Sequence, residues 1–251
     1  MIGLVALDLK KAFDTVNHNV LLDKMSYYGV QDKEMMWFKT YLSGRFQLCT
    51  MFNNMSEPQQ IRCGVPQGSI LGPLMFILYV NDMPTCFTSC NVNIYADDTA
   101  FYFAADDINT IKTVLSTELK SVYEWLCANK LSLHIGKTNS LLICNHQKRR
   151  HLSNTNLLLD LDGENIEQVK SLKYLGVVID ENLKYKEYMD ALICKLNSSI
   201  GILRRASRYV DQITRVTLYN TLVLPHIDYC STVWGNGVCK RDLQRLQRIQ
   251  N

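Results

Sequence analysis

Three aspartates stand where strand-like segments end. Asp8 closes the short apolar run "IGLVALD", and Asp97 and Asp98 are adjacent between the two apolar arms of "VNIYADDTAFYF". If those strands are neighbours, the carboxylates converge, and such a cluster repels itself unless cations such as Mg²⁺ neutralise it. Two ions about 3.5–4 Å apart can activate an attacking hydroxyl and stabilise a leaving phosphate. The pattern therefore favours phosphoryl or nucleotidyl transfer.

The same three acids also fit a purely structural interpretation. Aspartate is a favoured turn residue, and an acid that follows a strand often caps the next helix. Spacing along one sequence does not fix whether residues 8 and 97 meet. From the residues alone, a metal site and a set of turn and cap positions both remain open.

The elements around these acids follow from apolar spacing. Asp8 ends a predicted strand, and two helices and a hairpin occupy the residues between it and Gly64. "ILGPLMFILYVNDM" is apolar all round and predicts a buried helix, with Pro73 tolerable in a first turn. Asp97 and Asp98 fall in a hairpin turn, an amphipathic helix runs from Ile108 to Trp125, and strand-like pieces continue to Asp180. An α+β fold is expected.

The architecture changes near residue 181. Beyond it the spacing is helical, with an apolar stripe at Leu192, Leu196, Ile200 and Leu203. From Lys184 onward there are 11 Lys or Arg against 5 Asp or Glu, whereas the preceding residues carry 16 against 19. This basic C-terminal segment suits a phosphate backbone, although a solvated helix face gives the same count.

Composition limits the cellular setting. The nine cysteines are odd in number and show no paired CxxC spacing, so we expect reduced, mostly buried thiols in an intracellular protein. Nuclear or cytoplasmic residence and oligomeric state stay open. The longest apolar run, near Ile70–Val80, is shorter than the roughly 20 residues of a membrane helix, so we expect no membrane span.

Six blocks of the chain resemble, in order and spacing, the reverse transcriptases of non-LTR (LINE-type) retrotransposons. "LVALDLKKAFDTVNH", "GVPQGSILGPLMFILYVNDM" and "IYADDTAFY" resemble the first three palm motifs. "WLCANKLSLHIGKTNSLLI" is similar to the fourth, "LKYLGVVID" to the fifth, called the primer grip, and "LYNTLVLPHIDYCSTVWG" to a thumb block. The resemblance implies a right-hand polymerase palm, an antiparallel sheet backed by helices, with a mostly helical C-terminal thumb.

The resemblance also implies the catalytic residues. Asp8 and Asp97 would ligate two Mg²⁺ ions, with Mn²⁺ as an alternative, and Asp98 would be the nearby third carboxylate. The Leu9 carbonyl would add a ligand. Lys137 in "GKT" would donate a proton to the leaving pyrophosphate or assist electrostatically.

Further matched positions would bind nucleotide and nucleic acid. Phe13 corresponds to the steric gate against a ribose 2′-hydroxyl, although ordinary core packing is its alternative. Gln67 and Gly68 would line the nucleotide pocket. The remaining predicted residues are a primer grip and a basic thumb surface, namely Tyr174, Leu175 and Gly176, and Arg204, Arg205 and Arg208.

The predicted organisation is a palm with a partial fingers insert over residues 1–180 and a truncated helical thumb over residues 181–251. The family places a substantial fingers region before the first motif, but only seven residues precede Asp8. The implied function is RNA-directed DNA polymerisation from an RNA template, a DNA primer and deoxynucleoside triphosphates, with feeble activity or none in isolation. The alternatives are an inactive remnant that binds nucleic acid and an intron-encoded maturase.

Overall fold

The computed structural model describes residues 1–145 and 156–250, without the side chain of residue 250. Contacts divide these residues into two compact units. The first unit comprises residues 1–140 and 156–168, and the second comprises residues 141–145 and 169–250. The predicted boundary at residue 180 thus stays a prediction, and residues 146–155, inside the predicted palm range, lie outside the described residues.

A six-stranded sheet has five of its strands wholly in the first unit. Its strands lie in the order β6-β7-β1-β8-β10-β9 and are β1 (Ile2–Leu7), β6 (Asn91–Tyr95), β7 (Asp98–Ala104), β8 (Asn139–Ile143), β9 (Leu159–Leu161) and β10 (Glu164–Gln168). The pairs β6-β7, β7-β1 and β9-β10 are antiparallel, whereas β8 and β10 run parallel. The side chains of β1 alternate between buried and half-buried, because successive residues face opposite sides of the sheet.

The long helix α5 (Ile108–Ala128) covers one face of this sheet. Asp107 starts the helix by accepting a hydrogen bond from the Thr110 N–H at 2.9 Å. The predicted apolar stripe is buried from Ile108 to Val122 and half-buried at Trp125, and Ile111 and Leu115 belong to the same core as Val5 of β1. The amphipathic prediction for this segment is confirmed.

Four helices precede the hairpin of β6 and β7. They are α1 (Ala12–Thr15), α2 (His18–Tyr27), α3 (Asp32–Leu42) and α4 (Leu71–Val80). The Asn17 side chain caps α2 by accepting from the Val20 N–H at 3.2 Å, and Pro73 falls in the first turn of α4, where the missing N–H is harmless. The expectation that α4 is buried all round is wrong, because Leu74 and Ile77 are 49% and 53% exposed.

The hairpin between α3 and α4 consists of two short pairs of strands. The strands β2 (Phe46–Gln47) and β5 (Gln59–Gln60) pair at its base, and β3 (Thr50–Met51) and β4 (Asn54–Met55) pair at its tip. Phe52 and Asn53 form the turn at the tip. All four strands are exposed.

The second unit begins with a hairpin and continues as helices. Its elements are β11 (Ser171–Tyr174), β12 (Val177–Asp180), α6 (Lys186–Ala206), α7 (Gln212–Leu222), α8 (Leu224–Asp228), α9 (Ser231–Trp234) and α10 (Lys240–Gln250). The Asp180 carboxylate accepts hydrogen bonds from three backbone N–H groups of the segment that leads into α6. The predicted stripe of α6 packs into the core of this unit, with Leu192 and Leu196 buried. The α+β fold with a mostly helical C-terminal part is confirmed.

The cysteines differ from the expectation of mostly buried thiols. The nine cysteines are free thiols, but only Cys144 is buried and five are exposed, so the expected burial was wrong. Within residues 1–145 and 156–250, no helix combines the length and apolar character needed to cross a membrane.

Candidate active site

The structure brings Asp8, Asp97 and Asp98 to one end of the sheet. The register of β1 and β7 pairs Leu7 with Thr99, so Asp8 and Asp98 are the next positions on neighbouring strands. Asp97 lies in the turn, after Ala96 with a φ of +53°, and Asp98 opens β7. The pairing of β1 with β7 therefore brings the three aspartates together, which their spacing in the sequence did not fix.

Electrostatics reflects this convergence. The pKa of Asp98 is raised, first by burial and then by the negative charges of Asp97 and Asp8. A cation near these oxygens would relieve the repulsion. Among the residues that the structure describes, however, no three His, Cys, Asp or Glu side chains are grouped closely enough to hold a metal ion. The charge fits a cation, whereas the side-chain positions do not form a complete ligand cage.

The backbone at Asp8 is fixed by a segment from after α5. The Asp8 carbonyl accepts from the His134 N–H at 2.7 Å, and the Lys10 N–H donates to the Ser132 carbonyl at 2.8 Å. Leu9, whose side chain is buried, forms an isolated antiparallel bridge with Leu133. The strand end that carries the first aspartate is therefore held from both sides.

Lys137 belongs to the same segment, in a 3-10 turn over Ile135–Lys137. Its side chain is exposed, whereas the next residue, Thr138, is fully buried. The Asp8 N–H donates to the Thr138 hydroxyl at 3.4 Å. The segment thus anchors Lys137 close to Asp8 in the fold. The catalytic role of the lysine stays a prediction.

The Phe13 ring stacks on Phe76 of α4, with centroids 4.4 Å apart and ring planes inclined by 27°. Phe13 is half-buried at the edge of the core of the first unit. This contact supports the packing role that the sequence left as an alternative, and the role in sugar selection stays a prediction.

The loop before α4 is tied to α1. The Val65 N–H donates to the Phe13 carbonyl at 2.8 Å, and the Gly64 N–H donates to the Val16 carbonyl at 2.7 Å. A Cβ on Gly64 would lie 2.7 Å from the Asp14 carbonyl oxygen, so only glycine permits this approach. The loop consequently keeps the predicted nucleotide-binding segment beside Phe13.

Gln67 and Gly68 are exposed at the end of this loop. The Gln67 amide donates to the Asp14 carboxylate at 2.7 Å, an interaction that the sequence reasoning missed. The only sequence signal for Asp14 is its position directly after Phe13. A cavity of 970 Å³ opens beside Gln67, and its lining includes Lys11 and Arg45.

The predicted primer grip is the turn between β11 and β12. Tyr174 pairs with Val177, and Leu175 and Gly176 form the two-residue turn with φ values of +45° and +84°. The Tyr229 hydroxyl donates to the Leu175 carbonyl. Tyr229 was not among the predicted residues, and no sequence pattern connects it with a turn more than fifty positions away.

The predicted thumb arginines are exposed at the end of α6. Arg204 and Arg205 occupy its last helical turn, where the negative end of the helix dipole stabilises positive charge. Arg208 follows the helix. Tyr209 beside them is 88% exposed. These side chains are therefore accessible to solvent, and their contact with nucleic acid stays a prediction.

A family model described as reverse transcriptase (RNA-dependent DNA polymerase) matches residues 2–179. The probable RNA-directed DNA polymerase from transposon X-element of Drosophila melanogaster is 27% identical over 98% of this chain and 27% of its own length. The RNA-directed DNA polymerase from mobile element jockey of Drosophila funebris is 27% identical over 99% of this chain and 27% of its own.

Among solved structures, telomerase from Candida albicans in complex with the TWJ fragment of telomeric RNA aligns with 99% of this chain and 46% of its own, at 10% identity and a TM-score of 0.49. The chain spans about a quarter of the length of the two transposon polymerases above. The family match covers well over half of the chain. The chain belongs to the reverse transcriptase (RNA-dependent DNA polymerase) family, with relatives in non-LTR retrotransposons.

Proposed function

We propose that this chain carries the polymerising centre of a non-LTR retrotransposon reverse transcriptase. Its substrates would be an RNA template, a DNA primer and deoxynucleoside triphosphates. The observation that carries the proposal is the convergence of Asp8, Asp97 and Asp98 on neighbouring strand ends, with the pKa of Asp98 raised by burial and by the other two charges. Such a cluster is costly unless it serves a cation.

Asp8 and Asp97 are the proposed ligands of two Mg²⁺ ions, with Mn²⁺ as the alternative, and Asp98 is the nearby third carboxylate. Mg²⁺ is commonly held by one or two carboxylates together with substrate phosphates. This mode of binding suits a site where the described residues do not supply a complete set of side-chain ligands. When bound, the ions would activate the primer 3′-hydroxyl and stabilise charge on the phosphate under attack.

The surrounding residues would select and orient the nucleotide. Phe13, braced by Phe76, would place its ring against the sugar and exclude a 2′-hydroxyl. Gln67, held by Asp14, would present its amide to the nucleotide, and Gly68 would allow close approach. The Leu9 carbonyl and Lys137 complete the proposed set, as an additional oxygen ligand and as a proton donor or electrostatic partner.

The C-terminal part would hold the duplex. Tyr174, Leu175 and Gly176 would position the primer end, and the exposed arginines 204, 205 and 208 would contact phosphates without reading sequence. We propose the functional boundary between palm and thumb at residue 180. The relatives are transposon polymerases, which does not favour the maturase alternative.

The test is Mg²⁺-dependent extension of a DNA primer on an RNA template. The Asp97→Ala and Asp98→Ala double variant should abolish extension without loss of folding. A control double variant, Asp160→Ala and Glu164→Ala, removes two exposed acids from the other hairpin of the same sheet and should retain activity. A folded wild-type chain that binds the primer–template duplex but never extends it would instead support the inactive remnant.

A further inference from the structure

The turn between β11 and β12 has a conformation that its own sequence does not favour. Both turn residues have positive φ, as in the type I′ turns that usually contain Asn-Gly. Gly176 adopts this conformation readily, but Leu175 does not, because its Cβ approaches the following carbonyl oxygen. A residue in this conformation persists when the surrounding structure holds it.

Tyr229 stabilises this conformation of the turn. Its hydroxyl donates to the Leu175 carbonyl at 2.5 Å. Its ring lies against the other turn residue, since a Cβ on Gly176 would be 3.3 Å from a ring carbon. One side chain therefore contacts both residues of the turn.

Tyr229 is 49% exposed, but its backbone is anchored to the core of the second unit. It lies between α8 and α9, where its N–H donates to the Pro225 carbonyl at 3.1 Å. Its carbonyl accepts from the Trp234 indole N–H at 2.9 Å, and Trp234 is only 3% exposed. The turn is thus fixed to the helical core through Tyr229.

We propose that Tyr229 is a positioning residue for the primer terminus. The inference rests on the proposed role of the Leu175–Gly176 turn in contacting the primer. Without the Tyr229 hydroxyl, the Leu175 backbone can relax toward negative φ, so the surface offered to the primer shifts. Nucleotide binding depends on residues of the first unit and should not change.

The first test is Tyr229→Phe, which removes the hydroxyl and keeps the ring. In primer extension, the KM for primer–template should rise by about threefold to tenfold, the effect of losing one hydrogen bond. The KM for the deoxynucleoside triphosphate should stay at its wild-type value, and the free energy of unfolding should fall by no more than one hydrogen bond contributes. Tyr27→Phe makes the same chemical change on an exposed tyrosine of α2 that has no proposed role, and it should change nothing.

The second test needs no catalysis. A primer with 2-aminopurine at its 3′ terminus, annealed to an RNA template and bound in EDTA, reports the duplex Kd and the environment of the terminal base. Tyr229→Phe should weaken binding and alter the fluorescence of the terminal base in the complex. Gly176→Ala, which strains the turn and pushes against the Tyr229 ring, should do the same.

The outcomes separate this inference from the proposed function. A wild-type chain that binds the duplex without extending it contradicts polymerisation, yet a changed terminal signal in Tyr229→Phe still supports positioning. The inference is overturned if Tyr229→Phe matches Tyr27→Phe in both assays, if only its free energy of unfolding falls, or if the wild-type chain does not bind the duplex.

Discussion

Glu118 is a single acid within the buried stripe of α5. The residue is 3% exposed, and its carboxylate accepts hydrogen bonds from the backbone N–H groups of Thr88, Ser89 and Cys90 and from the Thr88 hydroxyl. Burial raises the pKa of Glu118, but these hydrogen bonds, led by that from Ser89, outweigh burial and lower it overall. The bonded segment leads directly into β6, the first strand of the hairpin that carries Asp97.

Replacing Glu118 with Gln should destabilise the protein by about 2 kcal/mol at neutral pH, because hydrogen bonds to a charged acceptor are lost and an amide N–H₂ faces donors. A carboxyl whose pKa is lower in the folded state stabilises it fully above the unfolded pKa of about 4.3, and this stabilisation is lost as pH falls through the folded pKa. The wild-type advantage should therefore shrink in acid.

Urea denaturation of both proteins between neutral pH and about pH 3 measures this difference, with the range set by the unfolded carboxyl pKa. Glu124→Gln, on the exposed side of the same helix, is the control and should change the free energy of unfolding little. An advantage of equal size at both ends of the range would show that the charge of Glu118 does not hold the segment.

At the scale of elements, the sequence predicts best where one periodicity dominates. Helix α5 and strands β1, β6 and β7 could be placed because their apolar spacing is regular. Helix α4 was misjudged, since an all-apolar sequence does not say which side remains uncovered, and Leu74 and Ile77 are exposed. The identity of the buried side of an element depends on its neighbours.

In the candidate site, too, the sequence predicts the local elements but not the contacts between them. Strand ends located Asp8 and Asp97, but their meeting depends on the register of β1 with β7, which single-sequence spacing does not contain. The contact of Gln67 with Asp14 joins residues 53 positions apart. Such contacts arise from tertiary packing, and only the family motifs pointed to Gln67 beforehand.

The packing of α5 on β1 gives a prediction at this scale. A Cβ on Gly3 would lie 2.4 Å from a methyl carbon of Ile111 and 2.7 Å from one of Leu115. Gly3→Ala should push the helix from the sheet and destabilise the protein by about 1–3 kcal/mol, the usual range for overpacking. Thermal or urea unfolding measures the change.

Gly201 provides the control with the opposite sign. It lies within helix α6, and apart from the adjoining helix backbone no atom of the described residues lies within 4 Å of an added Cβ. Gly201→Ala should stabilise the protein by up to about 1 kcal/mol, because alanine has the higher helix propensity. If both substitutions lower stability equally, the close contact at Gly3 is not what decides its effect.

At the scale of the whole molecule, charge is unevenly distributed along the chain. Residues from Lys184 onward have 11 cationic against 5 anionic side chains, while the preceding residues have 16 against 19. The exposed group Arg204, Arg205 and Arg208 belongs to the basic part. If this group contacts phosphates, binding should release counterions and weaken steeply with salt.

Changing the three arginines to Gln should lower duplex affinity to a similar extent for unrelated sequences, because phosphate contacts carry no sequence information. If each arginine neutralises one phosphate, the slope of log Kobs against log salt should become shallower by about 2 to 3. Fluorescence anisotropy of a labelled duplex over a salt series measures both. The triple variant Lys33→Gln, Lys112→Gln and Lys120→Gln removes the same charge from exposed positions of the first unit. Equal slopes for the two triple variants would mean that net charge, rather than the end of α6, attracts the duplex.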